Sequence, residues 1–514
     1  MGRIRSERIS LPLWWRLILY TIGFILFALQ LAIFFFSIIF YNDKTIYLGW
    51  TYFLSLAIGV ISCLFVIRRN MNANYKLIWC ILFLIFPIPF STLYFINSIC
   101  VKASKYSYKK HQYQLPALSD FDTLEELKTK DLRAYNMVKS LKRSEPLALY
   151  KNIDVTYFKD ALDKHKDMLE ELKNAKKYIY MEYFIISAGK LMDELYKVLK
   201  EKGEEGIEIK IIYDDLGSKG FLNRKLIKSL KKIPNCSVES YARVALNLLV
   251  NYRDHRKICI IDGYISYTGG DNLADEYIHK KERFGFWRDS CMKYYGRCIF
   301  SFTLFFSEMW YSSTKKVLKF IKRENEYKKY NENEFVVPFG DGPLYTSHTA
   351  YDLFISMISQ ATSSIYISTP YFIIDSAIID LLAIKIRSGI DVKILMPKIP
   401  DKKIPFYMGR ANYRELLTAG GGVYEYTPGF NHSKAVIIDN KYAFIGTINI
   451  DYRSLFLHYE CGALVANSKE INKMSLDFND AINESEKIEY DKWRKRPFIQ
   501  KIIAFIANIF APMF

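Results

Sequence analysis

The N-terminal fifth of the chain alternates long apolar runs with short basic stretches. Residues 17–42, 46–67 and 77–101 contain no charged side chain. At about 1.5 Å per helical residue each could cross the roughly 30 Å hydrocarbon core of a bilayer. The first run has no small-residue cleavage site and exceeds a signal-peptide core, so it is expected to be retained. Pro87 and Pro89 interrupt the third run and predict a bent span or a re-entrant hairpin. Arg3, Arg5, Arg8 and Arg16 precede the first run, and Arg68, Arg69 and Lys76 come after the second. That bias puts the N-terminus and the 68–76 loop on the cytoplasmic side of a multi-pass cell-membrane protein. Three complete spans would place residues 102–514 outside, whereas Lys102, Lys105, Lys109 and Lys110 pull them inside. The expected placement of residues 102–514 leans to the cytoplasmic side.

The pattern then changes. Residues 102–150 are polar and charged, read as a linker with short helices. Beyond them short β-branched runs alternate with helical stretches such as 191–201 and 378–387, an α/β pattern. The chain also repeats itself. Tyr180-Met181-Glu182-Tyr183-Phe184-Ile185-Ile186 returns as Ser368-Thr369-Pro370-Tyr371-Phe372-Ile373-Ile374, and Gly206-Ile207-Glu208-Ile209-Lys210-Ile211 as Gly389-Ile390-Asp391-Val392-Lys393-Ile394. The offset, 177 to 188 residues, is too long for a solenoid period and defines two homologous lobes, 151–330 and 331–490. A tail, 491–514, completes the chain. Its basic Lys492-Trp493-Arg494-Lys495-Arg496 precedes an apolar stretch whose one charge is Lys501, the pattern of an interfacial anchor.

Composition narrows the chemistry. The 514 residues are 50% hydrophobic and 25% charged, which excludes wholesale disorder. A formal net charge of +18 favours an anionic partner: nucleic acid, an anionic membrane face or a phosphate-bearing substrate. Aromatics reach 16%, with 39 Tyr and 36 Phe, which suits lipid better than base stacking. The apolar 246–250 segment could touch acyl chains. The eight cysteines form no CxxC pair, so neither a zinc ribbon nor a dense disulfide framework is expected.

One repeated block carries chemistry. It reads His255-x-Lys257-x4-Asp262-x6-Gly269-Gly270-x-Asn272, then His432-x-Lys434-x4-Asp439-x6-Gly446-Thr447-x-Asn449, with every interval preserved. Histidine is only 7 of 514 residues, so one such His-Lys-Asp spacing arises by chance roughly 0.05 times per chain. The residues 258–261 and 435–438 read as buried strands, and positions two apart on a strand share a face. Each His and its Lys can therefore point into one site, provided the lobes pack about a pseudo-two-fold axis. Lys and Asn would donate to a phosphoryl group, and two ammonium groups would offset its developing charge. Two imidazoles supply a nucleophile and a general acid–base. Asp262 and Asp439 stand seven positions from their His, an odd number on a strand, so bracing suits them better than reacting. A lysine beside each His disfavours a bound metal ion.

With these motifs the sequence resembles the phospholipase D superfamily and, within it, the bacterial cardiolipin synthase family. The resemblance extends to Asn251-Tyr252-Arg253-Asp254 before the first motif, Trp287-Arg288-Asp289, Thr369-Pro370-Tyr371-Phe372, Asn449-Ile450-Asp451-Tyr452-Arg453-Ser454-Leu455 and Trp493-x-x-x-Arg496-Pro497. It implies two phospholipase D-like α/β/α lobes behind a transmembrane helical region. It also implies a phosphatidyltransferase without metal or cofactor: phosphatidylglycerol gives its phosphatidyl group to one histidine, then to a second phosphatidylglycerol, yielding cardiolipin and glycerol. The alternative is a related hydrolase or a transferase with another donor or acceptor; nucleic acid is not an expected partner. The implied catalytic set is His255, Lys257, Asp262, His432, Lys434 and Asp439, with His255 the favoured nucleophile and His432 the acid–base. Asn272 and Asn449 would hold the phosphate. In this superfamily a carboxylate downstream of a motif orients the nucleophilic ring, and Glu460 in the second half and Asp289 in the first are the candidates. Asn431 and Thr447 depart from the family pattern, at positions expected not to touch the reactive groups.

Overall fold

The computed structural model describes residues 45–69, 71–98, 122–141, 148–151, 153–220, 224–241, 252–318, 334–345 and 348–513. The apolar run 17–42, the basic stretches at 3–16 and 102–110 and the segment 246–250 lie outside the described residues.

The N-terminal unit contains the helices Thr45–Ile67 and Ala73–Ile85. Asn72 starts the second by accepting the Asn74 N–H at 3.0 Å. That helix ends at Phe86, and the chain is helical again over 87–98. Pro87 takes the first helical position, where its missing N–H costs nothing. Gly59 lets the two helices approach, since a Cβ there would stand 2.5 Å from the Phe83 carbonyl oxygen. Val66, Trp79, Phe83 and Tyr94 form the buried cluster between them. Phe53, Leu54, Ile61, Leu64, Leu77 and Ile85 face outward, apolar and exposed. Among the residues whose side chains are described, no helix is long and apolar enough to cross a membrane.

The larger unit holds both lobes, and their sheets share one topology. The first lobe's sheet runs Asp154–Phe158, Cys291–Tyr295, Ile265–Gly269, Lys257–Ile261, Tyr178–Tyr183, Glu208–Asp214, Cys236–Tyr241. The second lobe repeats this order as Phe335–Asp341, His458–Ala466, Tyr442–Gly446, Ala435–Ile438, Ser364–Ser368, Asp391–Pro397, Gly422–Tyr426. The motif strands Lys257–Ile261 and Ala435–Ile438 are central and buried along their whole length, hence their continuous apolar sequence. Amphipathic helices pack on the sheets. Lys190–Glu204 buries Leu191, Leu195, Val198, Leu199 and Lys202, one face at helical spacing.

Each lobe also reaches the other through its last helix. Lys469–Asn483 of the second lobe presents Glu470 to the Tyr157 N–H (2.9 Å) and Asp477 to the Tyr157 hydroxyl (2.6 Å) of the first. In return, Glu308 on Ile299–Thr314 accepts the Tyr345 hydroxyl at 2.6 Å.

The stretch expected to be a linker differs in its described part. The helices Asp122–Lys130 and Leu132–Leu141 bury Leu127, Met137 and Leu141 in the second lobe's core, and Tyr150–Lys151 pairs with Phe335–Asp341 as an added edge strand. Its apolar positions are few, and Asp131 interrupts their helical spacing, which hid the pattern among the lysines.

Candidate functional site

The site is built by two short parallel pairings that mirror each other. Arg253–Asp254, just before the first motif His, pairs with His458-Tyr459. Gly429–Asn431, just before the second, pairs with Phe286–Arg288. The ladders continue one residue further: the His255 N–H donates to the Tyr459 carbonyl (2.9 Å) and the His432 N–H to the Arg288 carbonyl (2.7 Å). The next residue on each opposing strand is a carboxylate, Glu460 or Asp289.

Each imidazole is therefore held by the carboxylate of the other lobe. His255 Nδ1 lies 2.9 and 3.0 Å from the two Glu460 oxygens, and His432 Nδ1 lies 2.6 Å from Asp289 Oδ2. Glu460 and Asp289 are equivalent by register: Gly446 pairs with Gly462 and Gly269 with Cys291, and each carboxylate stands two residues before its pair. The sequence located both carboxylates but not the crossing of their partners. With Nδ1 engaged, Nε2 of each ring is left for chemistry.

Parity places the rest. Lys257 and Lys434 share a face with their His, and each ammonium returns to the carbonyl of that His, Lys257 at 2.5 Å. Arg256, one residue on, points the other way into a buried cluster: its guanidinium donates to the Glu460 carbonyl (3.1 Å), the Phe305 carbonyl (2.9 Å), Glu308 (3.0 Å) and the Tyr345 hydroxyl (2.9 Å). It fixes the backbone that carries Glu460. Asn272 is buried, accepts the Ile185 N–H (3.0 Å) and donates to the Tyr277 hydroxyl (2.6 Å). The Asn449 carboxamide oxygen is buried without a hydrogen bond.

Asp262 and Asp439 lie elsewhere. Asp262 accepts the N–H groups of Lys176, Lys177 and Tyr178 at 2.7, 2.6 and 2.9 Å. Asp439 does the same for Thr362, Ser363 and Ser364, and takes the Arg133 guanidinium at 2.5 Å. Seven residues at about 3.3 Å each put them roughly 20 Å from the imidazoles along the chain. Grouped with the catalytic candidates from the motif, they are instead braces at the far end of the sheet. Both sit at positive φ, 53° and 54°, a turn conformation that Asp tolerates.

Several neighbours were not among the expected site residues. The Phe184 ring meets His255 edge-on at 4.8 Å, and Tyr277 meets His432 at 5.6 Å. Thr447, expected to be remote from the reactive groups, donates its hydroxyl to Glu460. Asn431 braces Arg288, accepting its guanidinium at 3.0 Å. Gly270 stands where the second lobe has Thr447; a Cβ there would fall 2.0 Å from Asp289 Oδ1. His458 is the second imidazole beside His255, with ring centroids 5.4 Å apart. The donor atoms of His255, His458 and Glu460 lie within 4.8 Å of one another.

The electrostatics are those of a buried cluster of ionisable groups. Burial pushes Lys257 down to about 8 and Lys434 down to about 7. Burial, then the lysines of both motifs, hold His255 and His432 well below the usual imidazole range, and His458 and His432 add to the effect on His255. Burial lifts Asp289 to about 6 and Glu460 well above the carboxylate range. A phosphodiester anion would restore charge to both ammonium groups.

Two duplicated sheets that face each other across paired His-x-Lys motifs, each imidazole backed by a crossed carboxylate, define a phosphodiester-processing protein of the phospholipase D class. The profile of the family described as "Cardiolipin synthase, PLD-like domain" matches residues 168–284 and 354–482. A cardiolipin synthase of Halalkalibacterium halodurans is 30% identical over 488 residues, 92% of this chain and 96% of that protein. Cardiolipin synthase 2 of Bacillus anthracis is 38% identical over 353 residues, 67% of this chain and 68% of that protein. The chain belongs to the cardiolipin synthase family with phospholipase D-like domains. Among solved structures, the phosphatidylserine synthase of Haemophilus influenzae superposes with a TM-score of 0.57 at 16% identity, over 73% of this chain and 98% of that one, a likeness of fold.

Proposed function

We propose that the protein is a cardiolipin synthase that joins two phosphatidylglycerol molecules through a phosphatidyl-histidine intermediate. The observation that carries the reading is the crossed pair of imidazole–carboxylate contacts, His255 with Glu460 and His432 with Asp289, beside two buried lysines. One imidazole Nε2 attacks the phosphorus of the first phosphatidylglycerol. The P–O bond to the headgroup glycerol breaks, and the other imidazole, held protonated on both nitrogens by the bound phosphodiester anion, gives its Nε2 proton to the departing oxygen. A hydroxyl of the second phosphatidylglycerol then loses its proton to that imidazole and attacks the phosphorus, breaking the P–N bond. Cardiolipin and glycerol result, and both histidines return to their starting state. Lys257, Lys434, Asn272 and Asn449 hold the non-bridging oxygens as charge builds on them. The buried carboxylates fix each tautomer and stabilise the cationic ring.

The lipid substrates fit the exposed apolar faces around Phe53, Leu64 and Leu77, read as membrane-spanning, and the tail helix Phe498–Ile509. That helix leaves Phe498, Ile499, Phe505 and Ile506 exposed behind a basic collar. An anionic leaflet would draw this face in and concentrate phosphatidylglycerol. The catalytic lobes then stand on the cytoplasmic side.

The test is the full-length protein in detergent micelles containing labelled phosphatidylglycerol. Cardiolipin and free glycerol are expected in equal amounts, with His255→Ala and His432→Ala each inactive yet folded. Phosphatidic acid without cardiolipin would replace the transferase by a hydrolase.

A further inference from the structure

Cardiolipin carries two phosphodiesters joined by one glycerol. An enzyme that forms it must hold a second phosphodiester within a three-carbon bridge of the reacting phosphorus. Among the described residues, the first lobe's counterparts of the two side chains that follow do not form such a place. The counterpart of Arg453 there, four residues after the motif Asn, is Glu276, tied to Arg283 at 3.4 Å. The counterpart of His458, two residues before the carboxylate, is Trp287, packed on Phe430 at 4.9 Å.

The second lobe's side is different. His458 is only 7% exposed, its ring 5.4 Å from His255, and neither of its ring nitrogens makes a hydrogen bond. Its Nδ1 lies 3.6 Å from Glu460 Oε1, beyond hydrogen-bonding range. Arg453 Nε is also buried without a hydrogen bond. Arg453 begins on the turn after Asn449 and its carbonyl accepts the Leu457 N–H at 2.9 Å, so Arg453 and His458 belong to one tight connection, and the Arg453 charge acts on the His458 ring. Arg253, another cation near His458, is already bound to Asp214 at 2.5 Å. Lys402 is exposed, lies 3.8 Å from Asp401 and is within Coulombic reach of the His458 ring. Buried donors without partners are costly and are rare unless something else completes them. Arginine is the side chain best shaped for a phosphate.

We infer that Arg453 and His458, with the exposed Lys402, form a second anion subsite that binds the phosphodiester of the acceptor phosphatidylglycerol. The inference rests on the synthase reading and assigns the acceptor half of it. The duplicated lobes give the cleft two similar reactive groups, and this unduplicated pair makes the cleft tell acceptor from donor. A neutral acceptor needs no such subsite, and this provides the test.

The full-length enzyme in phosphatidylglycerol micelles is assayed for two reactions: cardiolipin formation, and exchange of labelled free glycerol into phosphatidylglycerol. The second uses the same donor and the same histidines but an acceptor without phosphate. In Arg453→Gln and His458→Gln, cardiolipin formation is expected to fall roughly ten- to a hundredfold, the loss of a charged hydrogen bond, with glycerol exchange within about threefold of the parent. Arg453→Lys is expected to retain more transfer than Arg453→Gln. Equal loss of both reactions would place these residues in the common machinery and overturn the subsite, as would no loss in either. If Arg453→Gln altered only inhibition by added inorganic phosphate, the subsite would belong to free anions and the proposal would fall. A parent protein that exchanges no glycerol and makes no cardiolipin would instead refute the synthase reading itself.

Discussion

Glu460→Gln isolates the crossed contact. The substitution keeps size and shape and leaves a carboxamide oxygen to accept the Thr447 hydroxyl, but it removes the negative charge that Glu460 holds beside His255 Nδ1, 2.9 Å away, once that ring is cationic. Two unit charges about 4 Å apart at an effective dielectric of about 20 interact by roughly 4 kcal/mol. That interaction counts only when the His255 ring is cationic, as it becomes during each transfer step, so the loss falls on the transition state. Allowing for the hydrogen bond that glutamine retains, the barrier should rise by about 3–4 kcal/mol, two to three powers of ten in rate. The assay is the initial rate of cardiolipin formation over a range of phosphatidylglycerol concentrations, with kcat reduced and KM nearly unchanged. Because His255 and Glu460 belong to different lobes, the same change should leave the thermal midpoint of the folded protein close to that of the parent. A kcat within threefold of the parent would show that Glu460 does not support the ring, and the crossed contact would lose its place in the mechanism.

Other outcomes rest on the same geometry. Asp439→Asn weakens a cap on three consecutive N–H groups and the bond from Arg133, so the protein should lose about 1–3 kcal/mol of stability in denaturant melts, with kcat per folded molecule retained. Gly270→Ala would drive a methyl group into Asp289 Oδ1, 2.0 Å away, and should cut transfer at least tenfold, measured beside an unaltered circular dichroism spectrum. Burial holds Lys257 at about 8 and Lys434 at about 7, whereas an unfolded lysine titrates near 10.4. The unfolded chain thus binds more protons between these limits, and stability of the lipid-free protein should rise from about pH 7 to about pH 10. Thermal midpoints across that window check the sign, and added phosphatidylglycerol, which restores charge to both lysines, should flatten the slope.

The repeat made the two lobes legible, because homologous strands keep their spacing even as side chains change. The pointing of Lys257 and Lys434 came from strand parity, which also favoured bracing for Asp262 and Asp439, although the family motif kept both among the catalytic candidates until the structure placed them at the far end of the sheet. The partner of each carboxylate was not legible. Glu460 lies 28 residues from His432 and 205 from His255, and only the pairing of Arg253–Asp254 with His458-Tyr459 makes the distant one the neighbour. The same limit hid Thr447, whose hydroxyl meets Glu460 because two adjacent strands bring them together. His458 carried a signal that parity could have found: it stands two residues before Glu460 on one strand. The helices at 122–141 were hidden for another reason, since their few apolar residues acquire a face only when docked on Thr349–Gln360.

The crossing of the carboxylates also bears on ancestry. A half-length forerunner with one motif would have carried an imidazole and a carboxylate unable to reach each other within the same lobe. It could have worked only as a symmetric pair of chains, each completing its twin. Fusion then bound the two copies into a shared fate, because a change at Asp289 or Glu460 is felt at the histidine inherited by the other copy. The copies have nonetheless diverged beside the shared histidines, where one carries Arg453 and His458 and the other Glu276 and Trp287.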